Sequence, residues 1–199
     1  SERTAIIAGT GAGDSIHDAY ELGHSIHTKG AKKTLPYWVP RAMGSTLTAN
    51  LSKIFRIHGA SYTITSACST SAHSIAHGLD LIRLGRADRV FAGWAEDVNE
   101  ISAGAFDAMR ALSSARNDKP TTASRPLDRG RDGFVFAGGG GFLVLEAEEV
   151  ARARGAKARA ILSGAGSTSD GFDMVAPSGE GAVRAMRADR AARRRAPSE

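Results

Sequence analysis

The chain has 199 residues, 42% of them hydrophobic, and a formal net charge of +5, enough for one large domain or two small ones with a sizeable core. A single cysteine excludes an intrachain disulfide framework and suits a reducing compartment, and no apolar run approaches the roughly 20 residues that span a bilayer. Ser1-Glu2-Arg3-Thr4 lacks a signal-peptide pattern, so the cytoplasm is the expected location.

Thr4-Ala5-Ile6-Ile7-Ala8 reads as a short buried strand. The Gly9-Thr10-Gly11-Ala12-Gly13-Asp14 that follows invites a dinucleotide-binding reading. Its third glycine comes one position early for G-x-G-x-x-G, however, and no acidic residue stands about 20 positions on, so a tight turn is the expected role. His17, His24 and His27 lie in a polar stretch without clear periodicity. Asp14, Asp18 and Glu21 do not complete a ligand set with them, and no metal is expected there.

From Leu22 to Leu79 there is no acidic residue, while Lys29, Lys32, Lys33, Arg41, Lys53 and Arg56 all fall in that interval. Such a face is either simply solvated or attracts an acidic partner, whether nucleic acid, an anionic membrane surface or an acidic protein. The nearby aromatics Tyr37, Trp38 and Phe55 show no stacking arrangement, which disfavours nucleic acid. Pro36 and Pro40 bound a loop, and a helix is expected from about Pro40 to Ser52 with Met43, Leu47 and Leu51 on one face.

Tyr62 to Ser66 reads as a strand that runs through Ala67-Cys68-Ser69 into a helix, because Ala72, Ile75, Ala76, Leu79 and Ile82 recur at helical spacing up to a stop near Gly85. Small neighbours leave the Cys68 thiol little covered, and the free N–H groups and dipole of a helix N-terminus favour thiolate, the reactive form. A lone cysteine is also commonly an inert buried hydrophobe, and position alone does not decide between the two. His73 and His77 stand at i and i+4, but Ser74 occupies the place of a zincin glutamate, so both are read as packing or surface histidines.

Val90-Phe91-Ala92-Gly93 is the next parallel strand, completing a β-α-β unit with Cys68 at the carboxyl end of its first strand, where open α/β sheets place their sites. Gly138 to Gly141 is not a phosphate loop, since a strand pattern from Phe142 to Glu146 follows it. A helix over Ala147 to Arg154, Gly155, and a further strand over Ala158 to Gly164 complete the expected elements.

Several longer runs keep order and spacing around Cys68: Ala105-Phe106-Asp107-Ala108-Met109-Arg110-Ala111-Leu112-Ser113, Arg125-Pro126-Leu127-Asp128-Arg129-Gly130-Arg131-Asp132-Gly133-Phe134-Val135, and Ser169-Asp170-Gly171-Phe172-Asp173-Met174-Val175-Ala176-Pro177-Ser178-Gly179-Glu180-Gly181. Together they resemble the β-ketoacyl-acyl carrier protein synthases, most closely the type I condensing enzymes of bacterial fatty acid synthesis, over roughly residues 3 to 187. The resemblance implies a thiolase-like α/β fold, layered α-β-α-β-α, whose two similar halves each carry a mixed five-stranded sheet. Residues 1–155 would be the first half, lacking its beginning, and residues 156–199 the start of a truncated second half.

It also implies that Cys68 is the nucleophile that takes up an acyl chain before decarboxylative condensation with malonyl-acyl carrier protein, with no metal or organic cofactor. By the same resemblance Phe106 lines the acyl channel, Met43 reaches across a homodimer interface, and Lys29 and Lys32 contact acyl carrier protein. Lys33 joins them on charge alone, and Asp132 supports the site by holding charged neighbours. The family's two histidines, lysine and glycine-rich phenylalanine loop fall beyond this chain, so none of its six histidines takes those roles. After Met186 the resemblance fades into a basic end with Arg193 to Arg195 as solvated charge. A polyketide-type ketosynthase, or an incomplete piece that only binds acyl carrier protein or a partner subunit, are the rival readings. Exposed surfaces meant for the other half would make the piece poorly soluble.

Overall fold

A computed structural model describes residues 1–11 and 13–194. Ala12 in the glycine-rich turn, the Asp14 side chain, and Arg195 at the end of the arginine run lie outside the described residues. Four strands form one sheet: β1 (Thr4–Gly9), β2 (Ser61–Thr63), β3 (Arg89–Glu96) and β4 (Gly139–Glu146). Their order is β2-β1-β3-β4; β2 and β3 run parallel to β1, and β4 is antiparallel to β3. β1 lies between β2 and β3 and every residue in it is buried, which accounts for its apolar Ala5-Ile6-Ile7-Ala8 run.

Side-chain alternation assigns the two faces of the sheet. Ala5, Ile7, Val90 and Ala92 form a core cluster with Leu81 and with the partly buried Ile75 and Ile82, all from α4 (Thr70–Arg83). Gly78 lets this helix settle on the sheet, since a β-carbon there would lie 2.9 Å from Leu145 Cδ1 and 3.1 Å from Val90 Cγ1. Phe91 points to the other face, where its ring stacks on Phe55 of α3 (Thr46–Phe55) with centroids 5.4 Å apart. The remaining helices are α1 (Gly13–Lys29), α2 (Trp38–Ala42), α5 (Glu100–Ala108), α6 (Glu148–Ala153) and α7 (Glu180–Arg194).

Several expectations need correction. The histidine-containing stretch is not irregular but forms the 17-residue α1. The single helix expected from Pro40 to Ser52 is two helices, because Met43 adopts an extended ψ of 131° and Gly44 follows it. Met43, Leu47 and Leu51 therefore do not share one helical face. The strand before Cys68 stops at Thr63, as the chain must leave the sheet to cross the end of β1. The β-α-β crossover from β2 through α4 to β3 passes over β1 rather than joining neighbours.

Residues 158–164 are not a strand. They pair with no strand among the described residues and lie instead between α4, whose Arg83 donates to the Ser163 carbonyl at 2.8 Å, and α7, whose Arg193 approaches Gly164. Four strands are present among the described residues.

Candidate functional site

The site begins with a close crossing. Gly9 ends β1, and the chain from Ile64 passes directly over it; a β-carbon on Gly9 would lie 1.9 Å from the Ile64 carbonyl oxygen. Thr65 Oγ1 donates to the Thr10 carbonyl at 3.0 Å and holds the crossing in place. The chain then turns sharply at Ala67, whose φ of 50° is left-handed. That conformation costs an alanine roughly 1–2 kcal/mol, so the surroundings must enforce it.

They do so through Thr70, which is fully buried. Its Oγ1 donates to the Ala67 carbonyl at 2.7 Å and accepts the Ser66 N–H at 3.0 Å, closing the turn from both sides. Ala67–Ser69 form one turn of 3-10 helix that leads into α4. Cys68 is therefore presented, exposed, just ahead of the helix instead of within its first turn.

Cys68 opens onto a cavity of about 390 Å³ lined largely by Trp94, Phe106, Phe134, Val135 and Phe136. That size is within the range of small-molecule sites, and the lining suits an alkyl chain. Phe106 comes from α5, whose start is capped by Asn99 accepting the Ser102 N–H at 2.9 Å. Its ring meets Phe134 edge-on at 6.1 Å and Phe136 at a tilt at 5.5 Å. Polar character enters through Glu96, which accepts a hydrogen bond from the Gly11 N–H. The glycine-rich turn after β1 thus receives a carboxylate of the chain itself.

Asp132 does not line this cavity. It accepts from Ser113 Oγ at 2.6 Å and from the amides of Ser114 and Ala115 at 2.9 Å each. These bonds, the Ser113 hydroxyl foremost, hold its carboxyl down to about 2. Its partners are a hydroxyl and two amides, not the charged neighbours expected from the sequence. The clamp fixes the loop at 111–115 beside Phe134, with Ser113 N–H donating to the Phe134 carbonyl and Phe134 N–H to the Ala111 carbonyl, both at 2.8 Å. Asp132 therefore places a cavity wall.

The other candidates lie apart. Met43 is 41% exposed at the break between α2 and α3 and does not line the cavity. Lys29 ends α1, and Lys32 and Lys33 form the exposed 3-10 turn that follows; none of the three makes an ion pair among the described residues. Arg41, counted with them in sequence, pairs with Asp18 at 2.8 Å and lies over the Trp38 ring.

Residues 1–151 match the family model "Beta-ketoacyl synthase, N-terminal domain", and the chain belongs to the β-ketoacyl synthases. It is 50% identical over 185 residues to 3-oxoacyl-[acyl-carrier-protein] synthase 1 of Escherichia coli (strain K12), a match covering 93% of this chain and 46% of that one. The chain thus spans less than half the length of this relative. A β-ketoacyl synthase from Burkholderia phymatum STM815 superposes with a TM-score of 0.85 at 29% identity, covering 96% of this chain and 47% of that one. A ketosynthase of a type II polyketide system, solved with its acyl-carrier protein and bound to the hexaketide, gives a TM-score of 0.87 at 27% identity, covering 99% and 50%. The fold is the thiolase-like α/β architecture of ketosynthases, as the sequence resemblance implied.

Cys68 and Phe106, both singled out in the sequence, line one cavity with Trp94, Phe134 and Phe136, to which the sequence analysis assigned no role. The alternation of Phe134 and Phe136 across Val135, two rings on one side of an extended segment, was the available signal.

Proposed function

We propose that the protein to which this chain belongs is a 3-oxoacyl-[acyl-carrier-protein] synthase of fatty acid biosynthesis, with Cys68 as the acyl acceptor. The observation that carries this reading is the exposed thiol on an enforced left-handed turn at the mouth of an apolar cavity. Cys68 gives up its proton, and the thiolate attacks the carbonyl of an acyl thioester. Carrier thiolate leaves and takes a proton, so the acyl chain is now on Cys68 with its tail among Phe106, Phe134 and Phe136. The Cys68 backbone N–H supplies one donor to the developing oxyanion.

In the second half-reaction a malonyl thioester loses carbon dioxide, the resulting enolate attacks the acyl-Cys68 carbonyl, and Cys68 thiolate is released with a β-ketoacyl thioester as product. By family resemblance the groups that stabilise the enolate come from the half of the protein beyond residue 199. Residues 1–155 and 156–199 would then belong to the first and second ketosynthase halves. Lys29, Lys32 and Lys33 would receive acyl carrier protein, Met43 would approach a homodimer partner, and the enzyme would work in the cytoplasm. A polyketide ketosynthase is the second reading, favoured by the type II polyketide neighbour; the 50% identity to a fatty acid synthase component favours the first.

The test is acyl transfer from decanoyl-acyl carrier protein, followed by intact mass on the chain and on Cys68→Ser. Acyl adduct on the unsubstituted chain alone supports the reading, and adduct on both removes Cys68 from the chemistry. Co-expression with a polypeptide covering the remaining half of the E. coli relative, supplied with malonyl-acyl carrier protein and saturated or polyketide starters, distinguishes the two pathways.

A further inference from the structure

His73, on the first turn of α4, uses both ring nitrogens. Nδ1 lies 2.7 Å from Ser66 Oγ, and Nε2 lies 2.8 Å from Ser167 Oγ. A neutral imidazole has one donor and one acceptor nitrogen, and a serine hydroxyl serves either way, so the line Ser66, His73, Ser167 is satisfied in both tautomers. His77, one turn further on, meets Tyr62 on an exposed edge.

The two serines are the informative part. Ser66 is the residue before the left-handed Ala67, and its N–H is already held by Thr70. Ser167 belongs to the segment between α6 and α7, which is tied to α4 by Arg83 at the Ser163 carbonyl and to α7 by Thr168 donating to the Gly181 carbonyl at 2.8 Å. One ring therefore joins the turn that presents the thiol to a segment far along the chain. His73 itself does not line the cavity.

We propose that His73 is a positioning residue for Cys68. Its bond to Ser66 fixes the orientation of the turn so that the thiol stays at the mouth of the apolar cavity, and its bond to Ser167 makes that orientation depend on how residues 163–168 are seated. This rests on the reading of the cavity as the seat of an acyl chain.

Cys68 is the sole thiol of the chain, so intact mass reads its alkylation directly. Rates are measured with N-ethylmaleimide and N-octylmaleimide; their ratio reports how well the thiol faces the cavity, whereas general loosening of the fold raises both rates. The unsubstituted chain is expected to favour the octyl reagent. In His73→Ala the ratio falls roughly fivefold, the scale of one lost hydrogen bond, with the ethyl rate nearly unchanged. Ser167→Ala lowers the ratio less, adds nothing in the His73→Ala background, and stands as the test if His73→Ala fails to fold. His73→Asn, whose amide can reach Ser66 but not Ser167, matches Ser167→Ala. An unchanged ratio in both His73→Ala and Ser167→Ala, or a full Ser167→Ala effect without His73, overturns the proposal alone. Absence of any octyl preference in the unsubstituted chain overturns the acyl-cavity reading and this inference with it.

Discussion

Gly9 and Ile64 stand so close that no methyl group fits between them: a β-carbon on Gly9 would lie 1.9 Å from the Ile64 carbonyl oxygen and 2.8 Å from Thr70 Cγ2. The backbone that leads to Cys68 is thereby packed directly onto the end of β1. Gly9→Ala is expected to lower the urea midpoint by the equivalent of about 1–3 kcal/mol, the usual cost of overpacking, and to displace the turn at Ala67. Gly141→Ala, with open space at its β-carbon, is the control and leaves the midpoint essentially unchanged.

Phe106 faces Phe134 and Phe136 within the cavity that Cys68 opens onto, and under the proposed function it would set the depth available to an alkyl chain. In a series of N-alkylmaleimides of increasing length, Phe106→Trp should shift the optimum of Cys68 labelling to shorter chains, and Phe106→Ala to longer ones. An optimum that ignores both substitutions would place the chain elsewhere.

What the sequence made legible was local. Cys68 stood out because a β-branched run, small residues and a helical repeat meet there, and the helix stop at Gly85 is seen as a residue with φ of 65°. The strands β1, β3 and β4 were readable as apolar runs. What escaped depended on partners distant in sequence. Residues 158–164 have strand-like composition, yet a strand needs a neighbour to pair with. Met43 broke a helix that periodicity alone would continue, and His73 looked like a packing residue because Ser167 lies 94 positions away. Asp132 was expected to hold charged neighbours, and its actual partners, a hydroxyl and two backbone amides, could not be inferred from side-chain chemistry.

Asp132 should leave a signature in acid. Its carboxyl is held at about 2, below its ordinary 3.8, by hydrogen bonds that exist only in the folded chain. The unfolded chain therefore binds this proton first, and the stabilisation is complete above about pH 4 and lost as pH falls toward 2. Asp132→Asn should lower the urea midpoint at pH 5 and flatten its fall between pH 4 and pH 2.5. Equal slopes for the two proteins in that window would count against the clamp.

Glu146 bridges two cations, receiving Arg89 at 2.5 Å from the facing position on β3 and Arg154 at 2.7 Å from the end of α6. Arg154, the larger influence, and Arg89 keep its carboxyl below the usual range. Glu146→Gln leaves two guanidinium groups facing an amide and should lower the thermal midpoint. Adding Arg154→Met should recover part of that loss, because it removes a cation left without its partner.

Lys29, Lys32 and Lys33 are exposed and contribute nothing visible to packing. Replacing all three by glutamate should weaken binding of acyl carrier protein by roughly tenfold or more at low salt, an effect that shrinks as salt rises, with far-UV circular dichroism unchanged. Binding insensitive to the triple substitution would move the docking face away from the end of α1.

The position of β1 has a kinetic side. It lies between two strands that come much later in the chain, with Ile7 meeting Tyr62 on one flank and Ala92 on the other. Neither flank can form until long stretches of chain have closed on themselves, a topology of high contact order that folds in milliseconds to seconds, while helices such as α4 form in about a microsecond. During that interval Ala5-Ile6-Ile7-Ala8 is a bare apolar β segment, so yield on refolding by dilution is a race between intramolecular closure and self-association.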